Sequence, residues 1–109
     1  MMGIAPPGDP LADALLALWQ KSLPLFRTRV TTIEAATTAL EAGNCSSELR
    51  QEAVDEAHRL AGTLGTFGYP HGTDAARFIE QTLEKSDAVP PATLAAIRGH
   101  IETLRQVVG

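Results

Sequence analysis

The chain has 109 residues, 44% of them hydrophobic and 20% charged, with a formal net charge of −4 and a single cysteine. That is one domain's worth of chain, with no basic cluster to hold nucleic acid and no partner for an internal disulfide, in keeping with a reducing cytoplasm. No apolar run approaches the roughly 20 residues of a membrane span, and "MMGIAPPGDP" lacks the basic and apolar regions of a signal peptide. Ala and Leu dominate while aromatics are sparse, which favours helix over sheet. The expectation is a small, acidic, cytoplasmic helical domain.

Residues 1–8 are rich in Pro and Gly and are expected to form a flexible leader to a single domain, 9–109. Asp9-Pro10 is a helix start, with Asp as the cap and Pro in the first turn. Apolar residues then recur at spacings of three and four from Leu11 through Trp19, Phe26, Val30 and Ile33 to Leu40, one buried helical stripe. Pro24 interrupts it and predicts a break near Lys21–Leu23, hence a short first helix followed by a second over about 25–42. Gly43-Asn44 ends that helix, with Gly43 as a left-handed cap. Ser46 or Ser47 caps the next, about 47–67. "GYPHGT" is a turn cluster, after which the period resumes over about 71–85. Pro90-Pro91 opens the last helix, about 91–107, with Leu94, Ile97, Ile101, Leu104 and Val108 as its stripe. No segment alternates with period two. The fold expected is all-α: an antiparallel up-down four-helix bundle with an additional short N-terminal helix packed against it.

Within the 47–67 helix, "EAHRLAGTLGTFGYPHG" raises a specific question, because Gly62, Gly65 and Gly68 follow His58. A glycine inside a helix costs roughly 1 kcal/mol relative to alanine. On a wheel of about 100° per residue, Ala53, Ala57, Leu60, Leu64 and Phe67 gather on one side, and His58 falls opposite them, facing solvent. Gly62 and Gly65 return to within about 40° of the histidine, and Ala61 lies close to the same strip. Two uses of the bare backbone stand at this point. Small residues admit close approach of another helix; alternatively they leave room around the imidazole for a bulky group and an incoming protein. Gly68, at the helix end, reads as a C-cap.

Other site chemistries lack their patterns. "GTLGTFG" is not GxGxxG and follows no strand, so it is neither a dinucleotide fingerprint nor a P-loop. His58, His71, His100 and Cys45 lack metal-ligand spacing, and no nucleophile elbow is present. His71 reads as a loop residue, His100 as a partly buried surface residue, and Trp19 and Phe26 as core.

An exposed helical histidine with glycine four residues on, His58-Arg59-Leu60-Ala61-Gly62 and then Gly68, resembles the motif of the histidine-containing phosphotransfer (HPt) domain. "AHRLAGTLGTFGYP" with "GTDAARFIEQTLE" is similar to that family's central helical hairpin, and the bundle pattern extends the likeness over about residues 25–107. The family usually carries Lys three residues after the histidine, where this chain has Ala61. Arg59, or Arg77 on the following helix, is a substitute cation.

The resemblance implies a phosphocarrier rather than an enzyme with turnover of its own. His58 would accept a phosphoryl group on its outer ring nitrogen and pass it to or from a receiver-domain aspartate in two-component signalling. Arg59, Ala61, Gly62, Gly65, Thr66 and Arg77 would form the phosphoryl and partner surface. An exposed imidazole is largely neutral near neutral pH, as a nucleophile must be. No cofactor is expected on this chain itself, the Mg²⁺ coming with the receiver. The expected partners are a response-regulator receiver domain or a hybrid histidine kinase, with no nucleic acid and no membrane insertion, and the chain is expected to act as a monomer. The alternative is a helical adaptor that docks on receivers or other helices without being phosphorylated.

Overall fold

The computed structural model of the chain describes residues 9–85 and 88–109, so the flexible segment expected at 1–8 lies outside the described residues. Four helices follow one another: α1 (Pro10–Glu41), α2 (Ser47–Thr66), α3 (Pro70–Lys85) and α4 (Pro91–Val108). Among the described residues there is no strand. Each helix packs on its sequence neighbour, and α1 also packs on α4, closing an up-down ring.

The helix ends are where side-chain chemistry puts them. The Asp9 carboxylate accepts from the amides of Leu11 and Ala12, and Ser46 Oγ accepts from Leu49 N at 3.0 Å. Gly43 (φ +74°) and Gly68 (φ +83°) adopt the left-handed conformation that closes α1 and α2. At the second of these, Tyr69 N donates to Leu64 O at 2.8 Å and Gly68 N to Gly65 O at 3.2 Å, the paired bonds of a Schellman cap.

The expected short N-terminal helix is corrected. No break occurs near Lys21–Leu23, and α1 runs unbroken for 32 residues through Pro24. Pro24 is exposed, while Trp19, Phe26 and Val30 on either side of it are buried. The carbonyl left without a donor, that of Gln20, therefore lies toward water, and packing on both sides of the proline holds the helical path. At about 1.5 Å per residue α1 is roughly 48 Å long, and it accounts for the 51 Å long axis of the molecule.

Val30, Ile33, Leu60, Leu64, Ile79 and Leu104 are among the fully buried side chains of the single core. Trp19 ends that core. Its ring stacks on Tyr69 at 4.7 Å and touches Phe67 and Phe26 at 5.1 and 5.4 Å. Across the α1–α4 seam, Arg98 grips the Glu41 carboxylate with two bonds of 2.7 and 3.1 Å, and Arg105 binds Glu34. Arg27 Nε donates to Val108 O at 2.6 Å, holding the end of α4.

Candidate functional site

The α2–α3 hairpin sets the site. With a turn of only Phe67–Tyr69, residues about equally far from it on the two helices come level with one another. His58 on α2 thus meets Glu80 on α3, with Nδ1 2.7 Å from Oε2. The imidazole is 74% exposed and the Glu80 side chain only 17%. An ionised carboxylate only accepts, so Nδ1 is the donor of this bond and carries a proton. The wheel put His58 on the solvent side, and there it is. Glu80, the group that orients it, was not identified from the sequence.

Gly62 is exposed, and a Cβ built on it meets nothing within 4 Å. Thr66 is exposed beside it and donates its hydroxyl to Gly62 O at 3.1 Å. Gly65 is exposed too, but a Cβ there would lie 3.4 Å from Thr73 Oγ1 of α3. Both readings of the glycines therefore have a place: open space at Gly62, helix contact at Gly65. The tightest approach is at Gly72 of α3, where a Cβ would come within 2.8 Å of Leu64 Cδ1. The sequence had placed Gly72 in a turn; it is a buried residue of the first turn of α3.

Ala61 is corrected. It is buried, and its carbonyl accepts the Thr73 hydroxyl at 3.0 Å, so its side chain belongs to the α2–α3 seam and not to a partner surface. Arg59 is exposed but bound to Glu56, the carboxylate that also takes two bonds from Arg29 of α1 at 3.0 and 3.2 Å. Its guanidinium is thereby held on the α1 side of α2, whereas His58 leans toward α3. Arg77 is exposed on α3, one turn before Glu80. The structure brings together His58, Glu80, Gly62, Gly65 and Thr66, with Arg77 on the adjoining turn.

The model of the Hpt domain family matches residues 17–107, most of the chain and all of the hairpin just described. The chain belongs to the Hpt domain family. No curated protein and no solved structure matches it. An Hpt domain is a phosphotransfer module of two-component phosphorelay signalling, a phosphocarrier that interacts with receiver domains and kinases.

In this Hpt domain Ala61 supplies no cation and Arg59 is engaged by Glu56, while Arg77 is exposed on α3. His71 is exposed in the first turn of α3, and His100 is half-buried against Phe78 with ring centroids 4.3 Å apart. Cys45 is half-buried in the α1–α2 connection, and burial pushes its thiol pKa up, away from reactivity. Among the described residues no three His, Cys, Asp or Glu side chains cluster as metal ligands, and no helix is long and apolar enough to cross a membrane.

Proposed function

We propose that His58 is the phosphoryl acceptor of this Hpt domain, taking the group from an aspartyl phosphate of a receiver domain and passing it on to another. The Nε2 lone pair attacks phosphorus in line, and the N–P bond forms as the P–O bond to the aspartate breaks. The aspartate leaves as a carboxylate. The ring then holds the phosphoryl group on Nε2 and a proton on Nδ1, and its positive charge faces Glu80. A carboxylate fixed there before the reaction stabilises that charge without reorganising.

The observation that carries this reading is the His58 Nδ1–Glu80 bond, which leaves Nε2 turned outward on an exposed ring. The space over Gly62 fits an incoming receiver loop, and Thr66, Gly65 and Arg77 would border the contact. Arg77 would supply a positive charge toward the phosphoryl oxygens. Phosphoryl transfer asks for positioning and charge neutralisation; the receiver would bring the aspartate and Mg²⁺, and this chain the rigid helix, the imidazole and the room. Such a relay would operate in the cytoplasm.

Incubation with a phosphorylated receiver domain tests it directly. Acid-labile, base-stable phosphate should appear on the chain and should be absent from His58→Gln. Label that persists in His58→Gln, or no label at all with a competent receiver, removes His58 from the role.

A further inference from the structure

The first half of α1 carries a feature that phosphotransfer does not use. Leu11, Leu15, Leu18 and Leu25 are 67%, 43%, 52% and 50% exposed. With Ser22 they follow one another at steps of four, three, four and three residues, the spacing of a coiled-coil seam. The seam starts beyond the bundle: Trp19 seals the core against Phe67 and Tyr69, and the helix continues outward from it for nine more residues to a capped start at Asp9. A helix that ended where its packing ends would stop at Trp19. This one is capped two turns further out, with leucines on it.

We propose that this arm is a self-association surface, on which a second copy of the chain lays its own α1 arm antiparallel, the two arms crossing at Leu18 with Leu11 of one copy against Leu25 of the other. Three observations favour a second copy as the occupant. The seam is self-complementary, apolar along its length and interrupted only by the small Ser22. The only charges on α1 before Phe26 are Asp13 and Lys21, of opposite sign, so two arms do not repel. The four leucines present on the order of 400 Å², within the range of the largest patch on a typical monomer. Two copies would cover roughly 800 to 1,000 Å² in total, the size of a weak, transient interface.

The direction follows from what lies past the seam. Its next position after Leu25 is Arg29, which Glu56 holds within the α1–α2 seam of its own bundle. Parallel arms would set the two bundles side by side, whereas antiparallel arms send them to opposite ends. An interface this small belongs to the weak, transient class, and hence to a reversible dimer. This departs from the monomer expected from the sequence, and it leaves the His58 face of each copy free.

Sedimentation velocity of the full chain from about 2 to 300 μM is the test, with Leu15→Glu/Leu18→Glu beside it. The native chain should pass from monomer to dimer across that range. The double variant should stay monomeric at every concentration, with unchanged helical circular dichroism and unchanged phosphate acceptance from a receiver. A native chain that is monomeric throughout overturns the proposal, as does association that the double variant retains.

Discussion

Gly72 of α3 lies so close to Leu64 of α2 that a single added methyl group would come within 2.8 Å of the leucine's Cδ1. Leu64 is fully buried, so turning its side chain aside would press on the core around it. Overpacking of this kind costs typically 1–3 kcal/mol, and an alanine in a helix recovers up to about 1 kcal/mol over glycine. Gly72→Ala should therefore lower stability by about 1 kcal/mol in urea unfolding. An unchanged or raised midpoint would show that the hairpin has slack at this crossing.

Gly62→Leu should behave in the opposite way. Nothing stands within 4 Å of a Cβ at Gly62, and leucine is favoured over glycine in a helix by nearly 1 kcal/mol. The variant should be as stable as the native chain or more so, yet poor at accepting phosphate from a receiver, because its side chain fills the space beside His58. Stability lost by several kcal/mol would mean that the position belongs to the packing. Full phosphotransfer would mean that the space is not where the partner enters.

The Glu80 carboxylate and the His58 ring separate charge from orientation. Glu80→Gln keeps an acceptor for Nδ1–H but loses the charge. A hydrogen bond to a charged group is worth about 1 kcal/mol more than a neutral one, so the phosphotransfer rate should fall roughly five- to tenfold. Glu80→Ala should fall further, because the Nδ1 proton loses its acceptor and the ring its orientation. Equal rates for all three proteins would reduce Glu80 to a surface contact.

Pro24→Ala should raise stability by about 1–3 kcal/mol, since an exposed interior proline costs about 3 kcal/mol and the substitution restores the donor for the Gln20 carbonyl. Thermal unfolding reads this out. A lower melting temperature would show that α1 depends on a bend at Pro24.

The α1–α4 seam carries a pH dependence of known sign. Hydrogen bonding from Arg98, and its charge, hold the Glu41 carboxyl below its ordinary value of 4.5. A carboxyl depressed on folding stabilises the fold above its unfolded value, and that contribution is lost as pH falls through the depressed one. The native chain should thus exceed Glu41→Gln in stability near neutrality, with the gap closing as pH falls below the ordinary carboxyl value of 4.5. A gap that persists once the carboxyl is protonated would assign the effect to packing instead of charge.

The helix ends and the face of His58 were legible because each depends on residues close in sequence. Asp9, Ser46, Gly43 and Gly68 act on their own turns, and a wheel needs only the period of one helix. The path through Pro24 was not, since the local rule for proline says nothing of Trp19 and Phe26 being buried on either side of it. Ala61 was placed wrongly for a related reason: α2 touches two helices, so its buried arc is wider than one apolar stripe and reaches round to Val54 and Ala61. Glu80 stayed hidden because its meeting with His58 depends on the register of two helices. That register is set by the Schellman turn and by Thr73 bonding to Ala61.

The ring of packed helices also has an order in time. Three of its four seams join helices adjacent in sequence, across connections of a few residues, and only α1 against α4 unites distant parts of the chain. Loop closure costs least for the near pairs, and topologies made of local contacts fold in microseconds to milliseconds. The α2–α3 hairpin, with the shortest connection, is suited to nucleate, while Arg27, Arg98 and Arg105 find their α1–α4 partners late. Substitutions along that last seam should therefore speed unfolding and leave the folding rate nearly untouched, whereas those between Leu64 and Gly72 should slow folding itself.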